Sequence, residues 1–434
     1  MLLTCLLIFS LAATASFLAW LFILLQAGRP WDFQPVGDDE AIRNPQSAIQ
    51  NGGWPAVRIL VPARNEAEAL PRTLPALLTQ DYPGPYTVCV IDDRSTDGTA
   101  DVARQIAGEL SRSERLHVMA GGPPPEGWVG KVWALQQGID YLKQQTGGEQ
   151  SAIRNPQSAI GALSTQYSAL STFFLLTDAD ILHAPSSLRR LVAESLAGGL
   201  ALNSRMARLR CESRAERLLI PAFVFFFNLL YPMRRVNNPR DPAAAAAGGC
   251  MLLSGTALEK IGGGFECIRA ELIDDVSLAR QVKRAGLPLR LSLSRAEVLS
   301  LREYPRLEHI WKMVRRSAFT ELKYSWLRLA GALLGLGLLF VVPVLACGAG
   351  LSGMAFSGPA GEVLATGLWA TIKGLLSLAV MCYVYKPAVD FFQLPRRYIF
   401  ALPVAGVLYG LMTVDSALRH ALGAGTQWRD KRTF

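Results

Sequence analysis

Phe173-Phe174-Leu175-Leu176-Thr177-Asp178-Ala179-Asp180 is the stretch on which the reading of this chain turns. A short apolar run reads as a buried strand, and this one ends in two carboxylates one residue apart. Side chains alternate along an extended chain, so Asp178 and Asp180 point the same way if the strand continues. Two same-side carboxylates at the mouth of a buried strand repel each other and are costly to desolvate. A divalent cation offsets that cost. Hard oxygen donors suit Mg²⁺ or Mn²⁺, ions that commonly bridge a protein to substrate phosphates. Alone, the pattern reads equally as a solvated loop or as a metal–diphosphate site.

The flanking sequence alternates in type. Val57–Pro62 reads as a buried strand, and Asn65-Glu66-Ala67-Glu68 opens a helix to about Gln80, where Asp81-Tyr82-Pro83-Gly84 stops it. Tyr86–Ile91 is a second strand ending in Asp92-Asp93-Arg94-Ser95-Thr96-Asp97-Gly98-Thr99, and Thr99–Leu110 a second helix. Leu116–Met119 is a third strand, Gly130-Lys131 starts a further helix after a Gly/Pro-rich loop, and Phe173–Leu176 is the fourth strand. Strands alternating with helices imply an α/β domain on an open, mostly parallel sheet with helices on both faces. Ligands bind such sheets at the carboxyl ends of the strands, where Asp92/Asp93 and Asp178/Asp180 both lie. No G-x-G-x-x-G follows the first strand and no P-loop occurs, so a bound nucleotide falls to carboxylates and metal.

The chain has 434 residues, 50% of them hydrophobic, with mean hydropathy +0.23. That excess sits at the ends. Met1–Gln26 carries no charge and is long enough to span a bilayer. It lacks a basic n-region and a convincing cleavage site, so an uncleaved anchor is favoured over a signal peptide. Leu329–Leu351, Val363–Tyr385 (interrupted by Lys373) and Tyr398–Val414 are candidate C-terminal spans. The expected plan is an anchor over 1–27, a linker with an insertion over 28–53, a catalytic domain over 54–328, membrane helices over 329–416 and a basic tail over 417–434. The net charge is +9. No nucleic-acid motif accompanies it, and the basic residues of Arg205–Arg235 and Arg302–Arg328 lie beside apolar segments. Such residues mark a cytoplasmic face and attract anionic headgroups. The expected partner is therefore the bilayer, not nucleic acid, with the domain on the cytoplasmic side of a bacterial-type inner membrane. Three C-terminal spans would put the basic tail Trp428–Arg432 outside, so either one span is re-entrant or the tail breaks the rule. The seven Cys are scattered without C-x-x-C, which fits a reducing compartment and not structural zinc. Ala41–Ile49 recurs as Ala152–Ile160 and reads as a loop insertion at both places.

Four motifs in order, V-P-A-R-N-E, V-I-D-D-R-S-T-D-G-T, T-D-A-D and I-D-D-V-S-L, resemble those of family 2 glycosyltransferases with the Rossmann-like GT-A fold, over roughly Trp54 to Gly286. Gly127-Trp128-Val129-Gly130-Lys131 is similar to the branch with ceramide glucosyltransferase-like enzymes. With the anchor, the C-terminal spans and Gly248-Gly249-Cys250, the chain most resembles the HpnB-type, hopanoid-biosynthesis-associated members. The resemblance implies an inverting transferase that moves a sugar from a nucleotide-sugar donor, UDP-linked by preference, to a lipid hydroxyl acceptor. It makes Pro62, Arg64, Glu66, Asp92, Asp93, Lys131 and Asp178 donor-binding, Asp180 the direct metal ligand with Asp178 assisting, and Asp275 the general base ahead of Asp274. Gly249 and Cys250 would approach the acceptor. Arg315 and Arg316 lie where many relatives carry Q-x-x-R-W to grip a diphosphate, but no Trp follows them here; snorkelling cations are the other reading.

Simpler readings stand beside these. Asp92 reads also as a strand-end cap, Glu66 as a first-turn residue favoured by the helix dipole, Asp274-Asp275 as caps of a helix over Val276–Ala285, and Lys131 as an exposed lysine. The apolar segment within about 216–234 suits an interfacial helix or a buried core helix. A processive polysaccharide synthase and an inactive membrane scaffold are the rival functions.

Overall fold

The computed structural model describes residues 2–26, 28–33, 53–151, 172–356, 361–423, 426–428 and 431–433. Both copies of the repeat fall outside them. The strands are β1 (Val57–Ala63), β2 (Tyr86–Asp92), β3 (Leu116–Ala120), β4 (Phe173–Leu176), β5 (Ile181–His183), β6 (Leu202–Met206), β7 (Met251–Ser254), β8 (Leu289–Leu293) and β9 (Val298–Ser300). Seven of them form one sheet in the order β3-β2-β1-β4-β7-β6-β8, parallel except for the two pairings of β7. β5 and β9 make a separate antiparallel ribbon. The four expected strands are all present. The later ones are short and mixed in polarity, as in Leu202-Asn203-Ser204-Arg205-Met206, so no apolar run announces them.

Alternation along the strands divides the apolar residues between two cores. Ile59, Val61, Val88, Val90, Leu175 and Leu252 face a layer containing the helices Leu70–Leu78 and Ser187–Ala197. Leu60, Cys89, Ile91, Leu176, Met251 and Leu253 face the opposite layer, with the helices Gly130–Ser151 and Asp274–Arg284. The chain runs outward from β1 to β2 and β3, then returns to the other side of β1 as β4. That reversal opens the crevice where open α/β sheets bind ligands.

The helix expected from Asn65 begins only at Leu70 and ends at Leu78, so Glu66 is not a first-turn residue. The N–H groups of Asn65, Glu66 and Ala67 are taken instead by Ser95 Oγ, Thr99 Oγ1 and Asp97 Oδ2, each at 2.9 Å. Asn65 has φ +52°, outside helical space.

Four helices are long and apolar enough to cross a membrane: Leu3–Leu25, Trp326–Ala355, Gly361–Phe391 and Arg396–Ala421. The fourth contains the expected third C-terminal span Tyr398–Val414, and polar contacts fix both of its ends. Before it, Gln393 accepts from Arg208 of the catalytic domain (3.4 Å). At its other end Asp415 accepts from Trp311 Nε1 (2.8 Å), and His420 stacks on Tyr324 at 4.4 Å. Both ends therefore lie beside the catalytic domain. Its exposed apolar residues Phe400, Val404, Val407, Leu411 and Leu418 form one helical stripe, opposite the face that packs on the protein. The helix Arg214–Leu230 is mainly a core helix. Phe225 meets Tyr385 edge-on at 5.4 Å, Phe226 meets Tyr409 at 5.1 Å, and the Tyr409 hydroxyl donates to Leu219 O (2.9 Å).

On β6, Arg205 is 1% exposed and bridges the buried Glu194 (2.5 Å) and Glu297. Arg205→Met should cost about 3–5 kcal/mol, because the buried Glu194 loses its charge partner and keeps only the neutral Asn203 amide (3.2 Å). Thermal unfolding of the detergent-solubilised chain measures this; an unchanged Tm would show that the ion pair adds nothing.

Candidate functional site

The T-D-A-D strand does not continue through its carboxylates. β4 ends at Leu176, and the chain turns before β5. Asp178 and Asp180 are thus not a same-side pair on an extended strand; each meets its own cation. Lys131, in the first turn of its helix, lies 2.9 Å from Asp178 and 3.3 Å from Asp274. Arg302, just past β9, lies 3.0 Å from Asp180.

The turn is held from beneath. Thr177 Oγ1 is 2.8 Å from Gly249 O and 2.9 Å from His183 Nε2. A carbonyl only accepts, so the Thr177 hydroxyl donates to it and accepts from His183 Nε2–H. Nδ1 then faces the Ser187 hydroxyl at 3.2 Å, whose single proton it shares with Gln80 Oε1 at 3.3 Å. Burial pushes the His183 imidazole down to about 4, keeping it neutral. Gly249 therefore supplies a backbone anchor, with Ile181 closing over its Cα.

The acidic pair opens the helix Asp274–Arg284. Neither residue is its N-cap, which is Ile273; both sit inside the first turn, where negative charge is favoured. Asp275 Oδ2 accepts from Gly248 N (2.9 Å) and Oδ1 from Val276 N (2.8 Å). A Cβ on Gly248 would stand 3.2 Å from Lys131 Nζ and 3.4 Å from Asp275 Oδ2, so glycine permits this close approach. Burial, reinforced by the Asp274 charge, pushes Asp275 up to about 6 against the pull of Lys131. Burial opposes the Lys131 charge, but Asp178, Asp274 and Asp275 more than restore it and hold its pKa above the usual lysine value. Arg302 likewise stays charged despite burial, because Asp180, Tyr304, Glu66 and Asp178 surround it.

The loops after β1 and β2 form the adjoining wall. Asp92 caps its strand end, with Oδ1 accepting from Ser95 N (2.9 Å). Asp93 is 2% exposed and lies between Arg94 (2.6 Å) and Arg64 (3.4 Å). A ligand reaches its carboxylate only by displacing one of them. Arg94 has φ +57°, a left-handed backbone steadied by its N–H on Asp92 O (2.8 Å). Pro62 lies in β1 beyond Leu60, the last residue paired to β4.

Three expectations are corrected by position. Cys250 is fully buried in the core, its thiol pushed up to about 12 by desolvation; Gly248 is the glycine that meets the carboxylates. Arg315 is tied to Asp415 (3.3 Å) on the helix Arg396–Ala421, while Arg316 is exposed. Arg302, Thr177 and His183 were missed. Arg302 reaches Asp180 through the pairing of Ile181 with Ser300, which no local pattern reveals.

Among the described residues no group of three or more His, Cys, Asp or Glu side chains gathers to hold a metal. Asp178 and Asp180 offer carboxylate oxygens at the crevice, and the four acids here outnumber Lys131 and Arg302 by two charges. This donor set fits a hard divalent ion shared with substrate oxygens, and is too small for an all-protein cage.

Thr177→Val should cost about 1–3 kcal/mol by leaving Gly249 O and His183 Nε2–H unsatisfied, and Thr177→Ser should be nearly neutral. Equal melting temperatures for the two variants would refute the hydrogen-bond assignment.

One family model matches most of the chain. The model described as "Glycosyltransferase like family 2" matches residues 55–320. The glycosyltransferase AglE of Haloferax volcanii is 34% identical over 99 residues, 23% of this chain and 27% of that protein. A beta-monoglucosyldiacylglycerol synthase of Nostoc is 37% identical over 100 residues, 22% of this chain and 21% of that protein. The chain thus spans about a quarter of the length of these relatives. Among solved structures, the mannosyltransferase PcManGT of Pyrobaculum calidifontis, in complex with GDP-Man and Mn²⁺, covers 94% of this chain and 99% of its own at 16% identity and TM-score 0.48. The glucosyl-3-phosphoglycerate synthase of Mycobacterium tuberculosis with Mn²⁺ and UDP-glucose covers 65% of this chain and 82% of its own at 16% identity and TM-score 0.38.

Proposed function

We propose that this chain, which belongs to glycosyltransferase family 2, moves a sugar from a nucleotide diphosphate sugar, UDP-linked by preference, to a lipid hydroxyl with inversion. Its domain is of the GT-A type, a mostly parallel sheet with helices on both faces. The observation that carries the reading is Lys131: by contacting Asp178 and Asp274 together it joins the T-D-A-D and I-D-D motifs in one crevice beside Asp275.

In this reading Asp275 takes the proton from the acceptor hydroxyl as that oxygen attacks the anomeric carbon. Its raised pKa suits a base working near neutrality. The N–H of Gly248 holds one carboxylate oxygen in place. Lys131 and Arg302 set positive charge where the diphosphate departs. Asp180 and Asp178 would hold Mg²⁺ or Mn²⁺, which supplies neutralisation of the leaving diphosphate. A lipid acceptor is supported by the apolar helices and by the glycolipid-synthase name of the Nostoc relative. A hopanoid-type acceptor rests on sequence resemblance alone; neither of these relatives is named for one. The basic residues flanking the apolar segments support a cytoplasmic catalytic face on the inner membrane.

Membranes carrying the chain, given labelled UDP-sugars with Mn²⁺ or Mg²⁺, should yield label in extracted lipid. Asp275→Asn and Asp180→Asn should each lower it by about 10²-fold or more. Undiminished transfer by both variants would sink the mechanism, and label in insoluble polymer would favour a processive synthase. The base must be ionised, so kcat/KM should fall about tenfold per pH unit below about 6, the value to which Asp275 is raised. A profile flat from pH 5 to 7 would exclude it as the titrating base.

A further inference from the structure

Between the catalytic carboxylates and the membrane helices lies a polar cluster that the sugar-transfer chemistry does not use. The Tyr231 hydroxyl donates to the Glu321 carboxylate and accepts from Arg280 Nη2 at 3.4 Å. The three residues come from three elements. Arg280 is on the helix Asp274–Arg284, which opens with the acidic pair. Tyr231 closes the apolar helix Arg214–Leu230. Glu321 ends the helix Leu307–Glu321, just before Trp326 begins the membrane helix. The cluster also sits where the two large cores meet: Phe227, which packs on Tyr231 at 5.3 Å, touches both the catalytic core and the membrane-side core, as does Ala247 next to Gly248.

On its inner side the cluster feels the active site. Burial, then Glu321, then Asp275 hold the Tyr231 phenol protonated well above its usual range. Leu230, which precedes Tyr231, and Trp326 and Leu327, a few residues after Glu321, have exposed apolar side chains, Leu327 by 84%. In a membrane-bound protein such a surface faces lipid.

We propose that Tyr231, Glu321 and Arg280 bind the headgroup of the lipid acceptor, and that this acceptor is an uncharged lipid alcohol. The inference rests on the sugar-transfer reading. An uncharged headgroup presents ester oxygens or further hydroxyls beside the reacting one; Arg280 donates to such an oxygen and Glu321 accepts from such a hydroxyl. The trio has one positive and one negative group, so it holds no surplus charge for a phosphate, which would meet the Glu321 carboxylate. The lipid tail lies over Leu230, Trp326 and Leu327, and the reacting hydroxyl extends inward to Asp275.

The test uses the full chain in nanodiscs, with diacylglycerol, a hopanoid alcohol and polyprenyl phosphate as probe acceptors. The wild type should glycosylate a lipid alcohol in preference to polyprenyl phosphate. Tyr231→Phe, which removes one oxygen, and Glu321→Gln should each raise the KM for that alcohol about tenfold or more. The KM for the donor and donor hydrolysis without acceptor should not change, whereas general damage would move both. Transfer to polyprenyl phosphate alone overturns the acceptor class. An unchanged acceptor KM in both variants, with an active wild type, overturns the subsite while leaving the transferase reading intact. A wild type that labels no lipid with any donor removes the transferase reading and this inference with it.

Discussion

One lysine decides how the crevice is built. Asp178 and Asp274 come from motifs far apart in the chain, and carboxylates so placed repel unless a cation lies between them. Lys131 supplies it, 2.9 Å from one and 3.3 Å from the other. The same ammonium tempers Asp275, whose pKa would be driven higher by burial and by Asp274 without it. Arg302 does for Asp180 what Lys131 does for Asp178, and Arg64 and Arg94 do it for Asp93. The acidic residues of the site are thus each held by cations, most of them drawn from other segments. The geometry depends on Gly248, where a side chain would crowd both Lys131 and Asp275.

The second constraint is the seat of this crevice on the membrane helices. The helix Arg214–Leu230 has both partners: it packs on Tyr385 and Tyr409 along its length and ends at Tyr231 beside the helix that carries the acidic pair. The helix Arg396–Ala421 buries one face there and exposes an apolar stripe on the other. Its polar contacts reach back to Trp311 and Arg315, which accounts for the Arg residue that a diphosphate-gripping motif had seemed to claim.

Much of this was legible in advance. The apolar runs from Val57, Tyr86, Leu116 and Phe173 became β1 to β4, and alternation put their odd and even residues on the two faces. The strand-end positions of Asp92/Asp93 and Asp178/Asp180 followed from that order. Boundaries were harder. The helix after β1 starts late because its first N–H groups bond to Ser95, Thr99 and Asp97, partners some thirty positions away. Tyr398–Val414 lies within the apolar helix Arg396–Ala421, but length and apolarity do not register the polar partners at its ends.

Sequence alone determined the residue types, their order and the period of the apolar pattern, and those suffice for a mostly parallel α/β domain with carboxylates at its strand ends. They suffice because side-chain direction and burial are local properties of a helix or strand. Which cation faces which acid was decided only by the tertiary structure. Lys131 with Asp274, Arg302 with Asp180, and Tyr231 with Glu321 and Arg280 are contacts between distant segments. Coulomb and hydrogen-bond energies depend on separation in space, which spacing along the chain does not specify.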